Sequence, residues 1–251
     1  MCSSDLADPT RVASINFTLG SNEALDASTV TASDFTVTNG SAPSISCTSS
    51  SCTVTTTAAA EGVVSITVSP TFSVSDVAGN ATVGATILAD TQVTYDRAVT
   101  YDITAPTLTL EQAADQADPA KNASIKFTLT ANEPLDGTTV TASDFSVMNA
   151  TGTTVSGSGA TYTITATASG QGAVTIAPAA GFSVSDVAGN AQTTAGGTDR
   201  SVTFDSIAPT VTLAQAGGQS DPTKTAAITF SFTSSEALDA ATVTQIGRAH
   251  V

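Results

Sequence analysis

Apolar and polar residues alternate along most of this chain. The run "ASIKFTLT" at 123–130 places Ile125, Phe127 and Leu129 at every second position, with Ser, Lys and Thr between them. "TYTITATA" at 161–168 keeps the same rhythm. A period of two is that of a half-buried β-strand, with one face to a core and one to water. No segment sustains helical spacing, and no apolar run is long enough to cross a bilayer.

Self-similarity sets the scale of the units. "TVTASDF" occurs at 29–35 and 139–145, and "FSVSDVAGNA" at 72–81 and 182–191, both at an offset of 110 residues. "YDITAPTLTL" at 101–110 returns as "FDSIAPTVTL" at 204–213, an offset of 103. The seven-residue difference lies after the first "AGNA", where the first copy is longer. A third copy opens with "SDPTKTAAITFSFTSSEALD" at 220–239. This predicts repeats at 7–103, 104–206 and 207–245, of which the second is whole. The first lacks strand A and the third has only A and B, so those lone strands are expected to fray.

In the second copy the alternation predicts strands at 107–111 (A), 123–130 (B), 144–149 (C), 153–156 (C′), 161–168 (E), 172–177 (F) and 201–205 (G). Between them lie the turn signals "QADPAKN", "NEPLDG", "ATG", "SGSG", "SGQG" and "DVAGN". About seven short strands in roughly 100 residues predict an all-β fold, a tandem array of two-sheet immunoglobulin-like sandwiches. A closed barrel is the alternative, but an odd strand number lets a stalk repeat start at one end and leave at the other.

Both termini read as scars. "MCSSDL" at 1–6 and "IGRAH" within 246–251 are translations of one oligonucleotide read in opposite directions, with GTG as start codon, and that string looks like a sequencing-library adapter. They are set aside. Cys2 is then not expected to be a lipid anchor, nor His250, the one histidine, to be native. The gene is expected to continue beyond both ends.

The motif string D-x-x-A-P-T-x-T-L, D-P, F-T, N/S-E-P/A-L-D, A-S-D-F and D-V-A-G-N resembles bacterial Ig-like repeats of large surface proteins and adhesins. The resemblance covers 7–244. It implies a secreted or cell-surface, multi-repeat protein whose modules space, stiffen or adhere. Fold likeness does not fix function. The leading expectation is a spacer or stalk segment that contacts its neighbouring repeats. The rivals are a module binding a host-cell or extracellular glycan or protein, and an accessory array of a secreted hydrolase. Binding through aromatics has little material, with Tyr95, Tyr101 and Tyr162 as the tyrosines and no Trp.

Charge narrows this further. The chain carries 22 acidic and 7 basic residues, a net charge of -15 that removal of the terminal scars leaves unchanged. Such a surface repels a phosphate backbone, so nucleic acid is not an expected partner. Strand direction assigns the incoming linker, B–C loop and F–G loop to one pole of a module, and the A–B loop and outgoing linker to the other. Stacking modules then gathers Asp8, Asp102, Glu133, Asp136, Asp186 and Asn190 at the first junction, and Asp118, Asp205, Glu236 and Asp239 at the second. Hard oxygen donors from separate loops suit Ca²⁺, which takes six to eight at about 2.3–2.6 Å. Two readings stand at this point: junction calcium sites, or turn and cap residues beside a linker stiffened by Ala105–Pro106.

Cys47 and Cys52 in "ISCTSSSCTV" flank the turn between C′ and E, aligned with Gly157 and Tyr162. Across a hairpin their Cβ atoms come within bonding distance. A disulfide is expected there, implying an oxidising compartment and an extracellular location. Catalysis finds little support: a Ser or Cys nucleophile needs a nearby base, and no native histidine exists. "GQGAV" and "DVAGN" read as turns, not phosphate loops, because no helix follows them.

Overall fold

The computed structural model describes residues 8–83 and 98–243. The adapter-like ends, Cys2, His250, Tyr95 and most of the longer stretch after the first "AGNA" lie outside the described residues.

Alternating residues form short antiparallel strands throughout. The first module contains β1 (Ser14–Gly20), β2 (Phe35–Thr38), β3 (Ser44–Thr48), β4 (Ser51–Thr57), β5 (Gly62–Val68), β6 (Ser73–Ser75), β7 (Ala81–Val83) and β8 (Ala98–Tyr101). The second contains β9 (Leu108–Gln112), β10 (Ser124–Ala131), β11 (Phe145–Met148), β12 (Ala150–Ser158), β13 (Thr161–Ala168), β14 (Gly172–Pro178), β15 (Val184–Ser185), β16 (Ala191–Gln192) and β17 (Ser201–Phe204). β18 (Val211–Gln215) and β19 (Phe230–Ser234) follow.

The second module has one sheet ordered β12-β13-β10-β9 and another ordered β11-β14-β17. These are the A-B-E-D and C-F-G sheets of an immunoglobulin-like sandwich. The first module repeats the plan with β1-β4-β3 and β2-β5-β8. Inward residues of the two sheets close one core per module. In the second, Leu110, Ile125, Phe127, Leu129, Ile164, Val174 and Val202 are fully buried. Phe145 meets Phe182 edge to face at 6.1 Å, and Phe35 meets Phe72 likewise at 6.2 Å.

The strand expected as C′ takes a different place. β12 pairs with β13 in the A-B-E-D sheet, so it is strand D and longer than predicted. Asn149, alone between β11 and β12, causes the crossing. It adopts φ 56°, a left-handed conformation that Asn tolerates, and its Nδ2 donates to the carbonyl of Gly170 at 2.9 Å. Asn39 turns the first module in the same way, with φ 56° and a bond to the Ala60 carbonyl.

β18 and β19 pair over five residues. Their Leu213, Phe230 and Phe232 are exposed, whereas the corresponding Leu110, Phe127 and Leu129 of the second module are buried.

Strand direction also fixes the poles. At the outgoing pole of the second module, Ala120 in the A–B loop bonds to the Thr203 carbonyl and accepts from the Asp205 amide. At the incoming pole, Leu135 of the B–C loop bridges to Asp186 of the F–G loop.

Candidate metal centre at the module junction

Three acidic side chains meet where the first module ends and the second begins. Asp102 follows β8, Glu133 lies in the B–C loop, and Asp186 opens the "DVAGN" turn of the F–G loop. One carboxylate oxygen from each lies within 4.8 Å of the others. Asp186 is buried at 1 % exposure, and Asp102 and Glu133 are half-buried.

The turn aims Asp186 by local bonds. Asn190 donates its backbone N–H to Asp186 Oδ1 and its side-chain Nδ2 to Oδ2, both at 2.9 Å, and the Gly189 amide bonds back to the Asp186 carbonyl. Asn190 Nδ2 also donates to the Asp102 carbonyl of the preceding module at 3.1 Å. Asp102 is held by an amide two residues on, Thr104 N–H to Oδ1 at 3.0 Å. Thr104 in turn donates its hydroxyl to Glu61, from the E–F loop of the first module, at 2.7 Å.

The electrostatics are one-sided. Burial raises the Asp102 carboxyl above its ordinary range, and the like charges of Asp186 and Glu61 add to it. Glu133 is raised by burial first, then by Asp102, Asp186 and Glu61. Among the described residues no ion pair reaches these groups; Lys126–Asp115 pairs elsewhere. Oxygens of this spacing can share one hard cation, since two ligands on opposite sides of Ca²⁺ stand about 4.6–5.2 Å apart. Each carboxylate oxygen retains lone-pair capacity beyond one accepted hydrogen bond.

The other acids named from the sequence stand apart from this trio. Asp8 and Asp118 accept from the amides of Thr100 and Thr203 at 2.9 Å, tying each A–B loop to its module's last strand. Asp136 caps the 3-10 turn Gly137–Thr139 through the Thr138 amide, and Asp239 caps Ala240–Thr242. At the second junction Asp205 accepts from the Ile207 amide at 3.0 Å, and Glu236 is half-buried in the third copy's B–C loop. The gathering at the first junction therefore contains three of the acids assigned to it, with Asn190 as their brace. Glu61 was missed. The E–F loop shares the outgoing pole by the same count of strand directions that placed the A–B loop there, so the signal was present.

Cys47 and Cys52 are directly opposed on β3 and β4 and joined by a disulfide with S–S 2.08 Å. It lies on the first module's D–E hairpin, at the pole away from the acidic trio.

A crystal structure of invasin, described as a bacterial integrin-binding protein, is similar to this chain with a TM-score of 0.38 and 13% identity. The match covers 87% of this chain and 42% of that one, so the chain spans less than half of that structure. No family model and no curated protein matches the chain.

Proposed function

We propose that this chain is a spacer segment of a secreted or cell-surface bacterial adhesin-like protein, stiffened by Ca²⁺ between its first two modules. The observation that carries the reading is the trio Asp102, Glu133 and Asp186: two modules contribute buried and half-buried carboxylates that repel one another, with no cationic side chain among the described residues paired to them. Those three residues would hold the ion, and a bound dication would supply the charge the cluster lacks while linking both modules. The role is mechanical, set by module length and by how stiffly each module follows the last. The Cys47–Cys52 bridge suits an oxidising, extracellular setting.

Thermal unfolding of the full chain with Ca²⁺ and with EDTA tests the cation. A ligand at a hundredfold excess over its Kd stabilises by about 2.7 kcal/mol, so the midpoint is expected to rise with Ca²⁺. Asp102→Asn is expected to remove the rise. A midpoint indifferent to calcium removes the metal from the reading. Small-angle scattering then tests the spacer role, which requires an extended particle that Ca²⁺ makes less variable.

A further inference from the structure

We propose that the basic residue at the Arg11 position is a second, metal-independent fastening between modules, and that its partner is the carbonyl end of the "DVAGN" turn on the module that follows. Arg11 Nη1 donates to the Gly189 carbonyl at 3.1 Å, from the first module's A–B loop to the second module's F–G loop.

Both ends of this contact are held before they meet. The A–B loop is tied down beside Arg11: the Thr10 amide bonds to the Thr100 carbonyl, and Asp8 accepts the Thr100 amide. On the other side, the paired bonds between Asp186 and Asn190 fix the turn. Gly189 has φ 90°, a conformation that a side chain would strain. A guanidinium N–H to a carbonyl oxygen is a charge-assisted hydrogen bond, stronger than a neutral one.

The repeat supplies the second argument. Lys121 and Lys224 occupy the place of Arg11 in the next two copies, at successive offsets of 110 and 103 residues. Three of the chain's 7 Lys and Arg residues thus stand at one position of the module. The receiving turn recurs as well, since Asp76 and Asn80 of the first module make the same pair of bonds. Arg11 donates to a backbone carbonyl, and among the described residues it makes no ion pair with the acidic trio. The fastening therefore stands independently of the calcium reading.

Backbone dipolar couplings of the weakly aligned full chain, recorded in EDTA, test it. With Arg11 present, couplings from β1–β8 and from β9–β17 are expected to fit one alignment tensor. Arg11→Ala should split them into two, while Arg11→Lys should keep one. Arg11 is exposed and outside both cores, so its loss should leave each module's internal couplings unchanged. A single tensor in R11A, or two tensors in the unaltered chain, overturns the proposal. Addition of Ca²⁺ to R11A separates the readings: return to one tensor supports the cation site, and persistence of two counts against it without touching the fastening.

Discussion

The first and second modules share their strand order, their caps and their F–G turn, yet each pins the same hairpin by different chemistry. In the first, Cys47 faces Cys52 across β3 and β4 and the pair is bonded. In the second, the same two places across β12 and β13 hold Gly157 and Tyr162. Gly157 has φ 127°, and a Cβ there would meet the Thr161 carbonyl at 2.4 Å. The tyrosine is buried to 3 % exposure, and its hydroxyl lies close enough to Gly137 that a Cβ there would come within 3.1 Å. One module spans the hairpin with sulfur, and the other sets a buried tyrosine opposite a glycine. The outgoing poles differ too. Glu61 contributes negative charge to the first junction, whereas Gln171 at the matching place exchanges two neutral hydrogen bonds with Ser206. The fold demands that a hairpin be pinned and a linker be held, and leaves open what does it.

The largest effect on this comparison should come from the cores. Phe17→Ala or Phe127→Ala deletes a fully buried ring, and such truncations cost about 3–5 kcal/mol. Calorimetry is expected to show each substitution lowering one module's transition and sparing the other. Equal movement of both would mean that the modules unfold as one cooperative unit.

Next come the two hairpins. Replacement of Cys47 and Cys52 together by Ala should destabilise the first module by about 2 kcal/mol and leave the second unmoved. Gly157→Ala should do the reverse, costing about 1–3 kcal/mol through forced overlap with backbone. Reductant should reproduce the first result in the unaltered chain and fail to add to it in the double variant.

The fold was legible because strand alternation and turn chemistry agreed at nearly every step. The positions of most strands, the poles and the cysteine hairpin follow from period two, the turn signals and direction counting along a seven-stranded plan. The fourth strand was misplaced because pairing partners depend on where the chain crosses between sheets, and here a single left-handed Asn149 decides that. The acidic residues were harder, since Asp does several jobs with one side chain. Asp136 precedes a 3-10 turn and caps it, Asp118 anchors a loop to β17, and among the described residues it is Asp102, Glu133 and Asp186 that converge. Composition cannot separate these uses. The i to i+2 and i to i+3 spacing of a capping residue could, as in "TASDF", where Thr31 and Asp34 form a capping box.

That division of labour sharpens the third expectation. Asp136→Ala removes a cap, not a ligand, so it should cost about 1 kcal/mol and leave any calcium response intact. Loss of the calcium response in D136A would return that residue to the metal site.

The smallest effect concerns the junction's charge. In EDTA, Asp102 and Glu133 hold protons more readily folded than unfolded, because burial and like charges raise both. The native state then binds more protons in the window just above the ordinary carboxylate range, so stability should rise as pH falls through the raised values. Asp26, Asp76 and Asp136, lowered by hydrogen bonds from Ser28, Asn80 and Thr138, act oppositely. Their contribution is present above the ordinary value and is lost as pH falls through their lowered values. The calcium-free midpoint should therefore pass through a maximum in mild acid. Glu61→Gln makes the first junction resemble the second and should flatten the upper limb, by less than about 1 kcal/mol for one partly solvated like charge. Calcium should reverse that limb, since protons then compete with the ion for the same oxygens. A calcium-free midpoint that only falls from neutral pH downward would show that Asp102 and Glu133 do not strain the junction, and with that strain gone the case for a cation goes too.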